Sequence, residues 1–465
     1  MKVAPLGHRL DELPWSRRHS RIVLALGAGW LFDSLEVNLV GGVINPMEKY
    51  FDVGPLVGQL VFFSWLIGIL VGAVVGGHLA DRFGRRRLFL ITLLWYACLT
   101  VLTGFSPTIW FVIGLRFLTG LGVGAEYPIV NAAIIELIPS RYRGRIGAAV
   151  MNFWPVGAVL SGVLSYLLLN TFGLTDAVSW RVGFAAGGVL ALLVLLFRRG
   201  VPESPRWLAS RGRHAEAEAI LTHLAEPGHT AVPAVTAAAS PGPAERIGRL
   251  RELLRDYRGR LALGSMLDLS EAFGYYGISA VVTLVVLPAI DIADRDIPFF
   301  LIMGNVGALV GGIVMTMFFD RLGRRRTVLI TYILAAAGVG LLAAATASGS
   351  TAAVLVAYLL ANAFGNAAWT SAYPTFTELF PTRVRAAGVG ASVGVGRVGA
   401  AFSVLIVTSV ANGLNPTAGY LLVVLFWLAG AASMLVFLLR GGTEAAGKPL
   451  DAVAETRVPE PAARG

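Results

Sequence analysis

Cysteine, lysine and histidine are scarce in this chain of 465 residues, and charge of either sign is thin. The one cysteine, Cys98, excludes an intrachain disulfide, and its place inside a long apolar run predicts a packing role rather than redox chemistry. His8, His19, His78, His214, His223 and His229 are scattered, with His78 expected at the inner headgroups, and none shares a helix face with a carboxylate in a metal-binding pair. The glycines at Gly120, Gly122 and Gly124 follow no strand and sit within an apolar run, so they are not a phosphate or dinucleotide loop. No nucleophile stands beside a base. These absences exclude a visible enzyme site, and no cofactor or metal is expected. Charged residues make up 14% of the chain against 56% hydrophobic, which leaves too little polar surface to enclose a water-soluble globule of this length.

What is present is apolar sequence in long runs. A helix needs about 20 residues to cross ~30 Å of hydrocarbon. Twelve runs meet that need, at 21–45, 56–80, 88–105, 109–137, 146–169, 182–197, 261–287, 298–319, 327–345, 352–373, 387–411 and 417–439. The fold expected is therefore all-α, twelve transmembrane helices in a lipid bilayer. The first twenty residues carry Asp11, Glu12, Arg17 and Arg18 and lack a secretory cleavage signal, so the first run itself is expected to direct insertion.

A formal charge of +10 would suit a nucleic-acid partner only if the basic residues formed one soluble face. They do not. With both termini inside, all of the 38 Lys+Arg fall in cytoplasmic segments except Arg116 and Arg397 within spans and Lys49, Arg181 and Arg295 outside. That asymmetry is the positive-inside pattern, and no nucleic acid is expected as a partner.

The chain is also duplicated. Asp81-Arg82-Phe83-Gly84-Arg85-Arg86-Arg87 returns as Asp320-Arg321-Leu322-Gly323-Arg324-Arg325-Arg326, and Glu136-Leu137-Ile138-Pro139-Ser140-Arg141-Tyr142-Arg143 returns as Glu378-Leu379-Phe380-Pro381-Thr382-Arg383-Val384-Arg385, at nearly the same offset. The organisation expected is a cytoplasmic segment 1–20, a six-helix bundle 21–197, a cytoplasmic linker 198–260, a second six-helix bundle 261–440 and a cytoplasmic tail 441–465. The linker's ends show helical spacing at Trp207, Leu208, Ala217, Ile220, Leu221 and Leu224 and at Ile247, Leu250, Leu253 and Leu254, whereas 229–243, rich in Ala, Pro and Ser, reads as disordered. Glycines inside spans, such as Gly68, Gly72, Gly76 and Gly77, suit close approach of helix backbones in lipid.

Ionisable groups within a span cost about 3 kcal/mol each, so they face a cavity or a partner. Asp33 and Glu36 lie three apart on the first span, hence on one face. Asp268 and Glu271 repeat the spacing on the seventh. Arg116 and Glu126 lie on the fourth span and Arg397 on the eleventh. Asp33 or Glu36 is the expected proton carrier, with Arg116 and Glu126 as partners, because burial and a neighbouring guanidinium pull a carboxyl's protonation in opposite directions. A static ion pair between the first and fourth helices is the alternative. Arg397 offers a rigid fork to an anionic substrate or, alternatively, a partner to Asp268 or Glu271. Asn152 and Trp154, Tyr275 and Tyr276, Asn305, Asn362, Asn366, Trp369 and Tyr373 add flat and hydrogen-bonding surface.

The repeated loops, preceded by Gly77-His78-Leu79-Ala80, resemble the signature of the major facilitator superfamily. Arg116-Phe117-Leu118-Thr119-Gly120, Pro202-Glu203-Ser204-Pro205-Arg206-Trp207-Leu208 and Glu378-Leu379-Phe380-Pro381-Thr382-Arg383 resemble its branch of sugar, organic-ion and metabolite:proton symporters. A strict sugar porter would show a glutamine-rich seventh span and Pro-x-Pro-Trp in the tenth; this chain has Asp268 to Tyr276 and Asn366-Ala367-Ala368-Trp369 there. Leu13-Pro14-Trp15-Ser16-Arg17-Arg18-His19 followed by Phe32-Asp33-Ser34-Leu35-Glu36 is similar to nicotinate and aromatic-acid symporters, with Glu36 where those carry a second Asp.

The resemblance implies alternating access by two halves, an arginine on the eleventh span for organic anions, and an inner latch at Asp81, Arg85, Glu136 and Arg143 and at Asp320, Arg324, Glu378 and Arg385. With no ATP-binding motif, uphill transport must draw on an ion gradient. The expectation is a monomeric proton symporter of a small organic anion, an aromatic or heterocyclic carboxylate, in a bacterial inner membrane. A sugar or neutral-solute carrier, an efflux antiporter and a nutrient sensor that no longer transports are the alternatives.

Overall fold

The structure, a computed structural model, describes residues 9–10, 13–225, 252–380 and 384–442. The disordered stretch expected at 229–243, the helical positions Ile247 and Leu250, and the tail beyond 442 lie outside these residues, as do Arg383, His8 and His229. So do the side chains of His78, Asp81, Arg143, Asp320 and Arg385 and the surroundings of Gly77. Among the described residues every regular element is helical, and twelve helices are long and apolar enough to cross a membrane: Arg17–Phe51, Pro55–Ala73, Arg85–Thr103, Ile109–Tyr127, Arg145–Thr171, Asp176–Arg198, Arg258–Ala289, Ile297–Phe318, Arg324–Ala347, Thr351–Thr375, Gly388–Gly413 and Pro416–Leu439. The linker supplies two short helices, Pro205–Ser210 and His214–Leu224.

Local chemistry sets where these helices begin. Ser16 caps the first span by accepting from the His19 N–H at 3.4 Å, while His19 Nδ1 accepts the Ser16 N–H at 3.1 Å, a reciprocal box that satisfies two donors with no helical partner. Asn415 Oδ1 accepts the Ala418 N–H at 2.9 Å at the start of the twelfth span, where Pro416 has no N–H to satisfy. The repeated loops explain their own glycines. Gly84 and Gly323 precede the third and ninth spans with φ of 94° and 79°, a region that residues with a Cβ rarely enter.

Packing in each half runs through glycine. Carbonyls of Phe117 and Leu121 on the fourth span lie where a Cβ at Gly68 and Gly72 would be, and those of Trp65 and Ile69 on the second span lie where one at Gly120 and Gly124 would be. The eighth and tenth spans repeat the arrangement, with Gly307 against Leu359 and Gly311 against Ala363. Small residues let backbones touch where lipid offers no hydrophobic drive to associate. Cys98 corrects the packing expectation: it is exposed on the third span beside Leu94, Trp95 and Leu102, on a face that would meet lipid.

By contacts the chain forms two compact units, one drawn from Met1–Gly242 with Ile292–Asn305 and one from Pro243–Asp291 with Val306–Gly465. In the first, the N-terminal segment is tied to the linker: Arg9 Nη2 bonds Glu218 Oε2 at 2.7 Å and Ser16 Oγ donates to the Leu224 carbonyl at 3.1 Å.

Candidate functional site

Among the described residues, the buried carboxyl groups inside the spans gather into one cluster in each unit. In the first unit, Glu36 is bound to Arg116, whose Nη1 lies 2.7 Å from Glu36 Oε1, and the Thr100 hydroxyl donates to the same oxygen at 2.5 Å. The rings of Trp65 and Phe184 flank that guanidinium at 5.7 Å each. The ion pair foreseen between the first and fourth helices is therefore formed by Glu36, and Asp33 takes no part in it.

A second pair holds Glu126. Arg198 at the end of the sixth span bonds Glu126 at two points, Nη1 to Oε2 at 2.7 Å and Nη2 to Oε1, and donates to the Phe89 carbonyl at 3.0 Å with its guanidinium over the Phe89 ring. Gly29 makes the room, since a Cβ there would overlap the Arg198 guanidinium and lie 2.7 Å from Glu126 Oε1. Arg198, expected as the first residue of the linker, instead ends the sixth-span helix, and its side chain has no solvent exposure. A signal for it existed in the sequence. Asp33, Glu36 and Glu126 faced Arg116 alone, and burial demands counter-charge.

Asp33 is 3% exposed and lies beside both pairs, with the Tyr96 phenol and the charged groups of Glu126, Arg198 and Glu36 as neighbours. Among the described residues it has no ion-pair partner, and its Oδ1 receives no donor.

In the second unit, Asp268 and Glu271 are both fully buried on the seventh span, their carboxyls within hydrogen-bonding reach of each other. Tyr332 of the ninth span donates to Glu271 Oε2 at 3.2 Å. Arg397 faces Asp268, reaches the Tyr276 phenol and lies 5.5 Å over the Trp369 ring. Tyr275 meets Tyr276 and Trp369 edge to face, at 5.3 and 5.9 Å. The guanidinium is thus bordered by the Trp369 and Tyr276 rings and a carboxylate, with Tyr275 edge-on to both rings.

The other foreseen residues scatter. Trp154 packs on Trp30 at 5.7 Å, and Trp30 on Tyr127 at 4.8 Å; Asn152 interrupts the fifth span between Ser140–Met151 and Phe153–Tyr166. Asn305 and Asn362 spend their amide hydrogens on their own helices, at the carbonyls of Leu301 and Tyr358, each at 2.8 Å. Asn366 ties the tenth span to the eighth through the Ala308 carbonyl at 2.7 Å. At the repeated loops Arg85 meets Glu136 at 3.4 Å and Arg324 meets Glu378 at 3.1 Å. Glu203 adds a part not foreseen: its carboxylate accepts the N–H groups of Arg85 at 3.0 Å and Arg86 at 3.2 Å, closing the open N-terminus of the third-span helix with negative charge.

Known proteins share this architecture over nearly its whole length. The family of sugar (and other) transporters matches residues 54–456. A niacin transporter of Acinetobacter baylyi is 28% identical over 450 residues, 96% of this chain and 98% of its own. A gallate transporter of Pseudomonas putida is 30% identical over 421 residues, 88% of this chain and 89% of its own. In solved structures, the fold is similar to that of the major facilitator proton:xylose symporter XylE, with a TM-score of 0.74 over 93% of this chain and 98% of that one at 20% identity.

Proposed function

Because the chain belongs to the family of sugar (and other) transporters, and is thus a multi-pass membrane transporter of the major facilitator type and not an enzyme, we propose that it takes up an aromatic or heterocyclic carboxylate together with protons. The observation that carries this reading is the charge balance around Asp33. Glu36 holds Arg116 and Glu126 holds Arg198, so the buried group is neutral when Asp33 carries a proton and bears one uncompensated negative charge when it does not. An excess charge at this depth costs about 3 kcal/mol on insertion scales. Asp33 therefore keeps its proton while the cluster is closed and gives it up when alternating access opens the cluster to water or shifts a guanidinium toward it. Glu36, held by Arg116 and Thr100, is the positioning partner.

Arg397 is the substrate's anchor in this reading. A guanidinium presents a planar fork to a carboxylate, and Trp369 and Tyr276 beside it, with Tyr275 packed edge-on to both, present faces and edges to a flat ring. The relatives named for niacin and gallate are named for aromatic carboxylic acids, which supports the class. Arg85 with Glu136 and Arg324 with Glu378 serve as the cytoplasmic latch, both termini lying on that side by the positive-inside pattern. Each pair holds one conformation of its half.

The test is uptake by purified protein in liposomes of radiolabelled nicotinate, gallate, xylose and neutral solutes, with and without an inward acid gradient. Accumulation of an aromatic acid only with the gradient is expected. Asp33→Asn should lower that accumulation about tenfold at one pH unit of gradient, tenfold being one proton's worth of driving force, and leave substrate exchange intact. Uptake that ignores the gradient, or that is confined to xylose and neutral solutes, would sink the proposal.

A further inference from the structure

The seventh span carries two carboxyl groups that the reading above leaves unused. Asp268 and Glu271 lie three residues apart in Arg258–Val281, so one helix face presents both, and neither is exposed. Neither oxygen of Asp268 and not Oε1 of Glu271 receives a donor from any described residue. Glu271 Oε2 has the Tyr332 hydroxyl, but that single hydrogen is divided with the Leu267 carbonyl at 2.9 Å. Among the described residues, the charged and titratable groups facing the pair are Tyr276 from the same span, Tyr332 from the ninth and Arg397 from the eleventh. The twelfth span brings Trp427, which packs on Gly274 and on Tyr332.

Two carboxyls within bonding reach of each other, buried, with one guanidinium between them and neutrality, require one proton. A proton placed between them satisfies an otherwise unmade acceptor, removes the repulsion of two adjacent negative charges and leaves a single carboxylate to balance Arg397. The pair is also joined to a neighbouring helix. A Cβ at Gly396 would run into the Asp268 carboxylate, so Asp268 rests directly on the backbone of the eleventh span one residue before Arg397. Any shift of that span changes what Asp268 touches.

We propose that Asp268 and Glu271 form a second proton-carrying site, so that two protons, one at Asp33 and one taken up by this pair, accompany each substrate anion. This rests on the proton-symport reading of Asp33. When a substrate carboxylate takes the Arg397 fork, it supplies the negative charge that Asp268 supplied before, so the carboxylate left on the pair is uncompensated and takes up a second proton. When the substrate leaves, Asp268 returns to Arg397 as a carboxylate and gives up that second proton as water reaches the site, the shared proton staying behind. For a monovalent anion the cycle then moves one net positive charge inward.

Two measurements decide it. The first uses the full chain in lipid nanodiscs without substrate, followed by infrared difference spectroscopy as pH is stepped. Two carbonyl-stretch bands of protonated carboxyls are expected to titrate, one lost in Asp33→Asn and the other lost in Glu271→Gln and altered in Asp268→Asn. A second band that is absent or does not change with pH overturns the proposal, whereas absence of only the Asp33 band from the wild-type protein sinks the proton-symport reading and leaves the second site standing. The second uses the liposomes with nicotinate as probe, the membrane potential clamped at zero and a pH gradient of one unit. Steady-state accumulation of about a hundredfold is expected for two protons and about tenfold for one. Glu271→Gln should bring the wild-type value down to the lower one. A wild-type value near tenfold overturns the second site, and accumulation that follows a sodium gradient overturns both.

Discussion

The two halves hold their buried charge in different ways. In the first, both guanidiniums are committed: Arg116 to Glu36 and Arg198 to Glu126 in close contacts walled by Trp65, Phe184 and Phe89. In the second, Arg397 is bordered by Trp369 and Tyr276, and the carboxyls beside it face each other. The same surplus of one carboxyl over guanidinium is present in each. What differs is where a ligand's charge fits. A cluster whose arginines are closed by internal carboxylates suits a proton, which is small and removes charge; an arginine framed by rings suits a flat anion.

The comparison can be broken most severely at Arg198. Arg198→Leu leaves Glu126 buried without its partner and should cost about 3–5 kcal/mol, read as a large fall in the thermal-unfolding midpoint in detergent. Adding Glu126→Leu should recover most of it, because removing both charges leaves nothing unpaired. Arg397→Leu should cost less, because Asp268 beside it belongs to a carboxyl pair that can take up a proton, and should lose aromatic-acid binding; an equal loss of stability at both arginines would show that the two clusters are alike.

The glycines beneath the clusters come next. Gly29→Ala sets a Cβ into the Arg198 guanidinium and Gly396→Ala sets one into Asp268. Each should cost about 1–3 kcal/mol by overpacking. Functionally they should diverge, with Gly396→Ala changing the number of protons carried per substrate and Gly29→Ala changing expression and stability. Arg397→Lys sharpens the point at smaller scale: charge is kept and the planar fork is lost, so the dissociation constant for an aromatic acid should rise about tenfold, or about 1.4 kcal/mol. Isothermal titration would show it. Smallest is Glu203→Gln, which keeps an acceptor but removes the charge at the N-terminus of the third-span helix. A loss of about 0.3–1 kcal/mol is expected, shrinking as salt is raised, with no counterpart predicted in the second half.

Much of the fold could be read along the chain because a bilayer makes length and apolarity sufficient evidence. A run long enough to cross hydrocarbon has to be a helix, since no other single segment satisfies its own backbone there. Asp33, Glu36, Arg116, Glu126, Asp268, Glu271 and Arg397 stood out for the same reason: each is costly where it lies. Partnership was not legible. Arg198 looked like one more basic residue at a span's inner edge beside Arg199, and only the tilt and contact of four helices bring it onto Glu126. Glu203 looked like linker, and it caps a helix far from it in sequence. Cys98, on an apolar run, was indistinguishable from a buried residue, because every face of a spanning helix is apolar and packing alone decides which one meets lipid.

The sequence by itself determined the solvent, the twelve helices, the doubling of the chain and the short roster of buried charges, because hydropathy, arginine placement and repeated loops are all local properties. Tertiary structure alone decided which carboxylate holds which arginine, that Asp33 is the one left over, and that Asp268 and Glu271 turn to each other beside Arg397. Those facts depend on distances of about 3 Å between residues far apart in the chain, and at that range Coulomb and hydrogen-bond energies outweigh anything a one-dimensional pattern encodes.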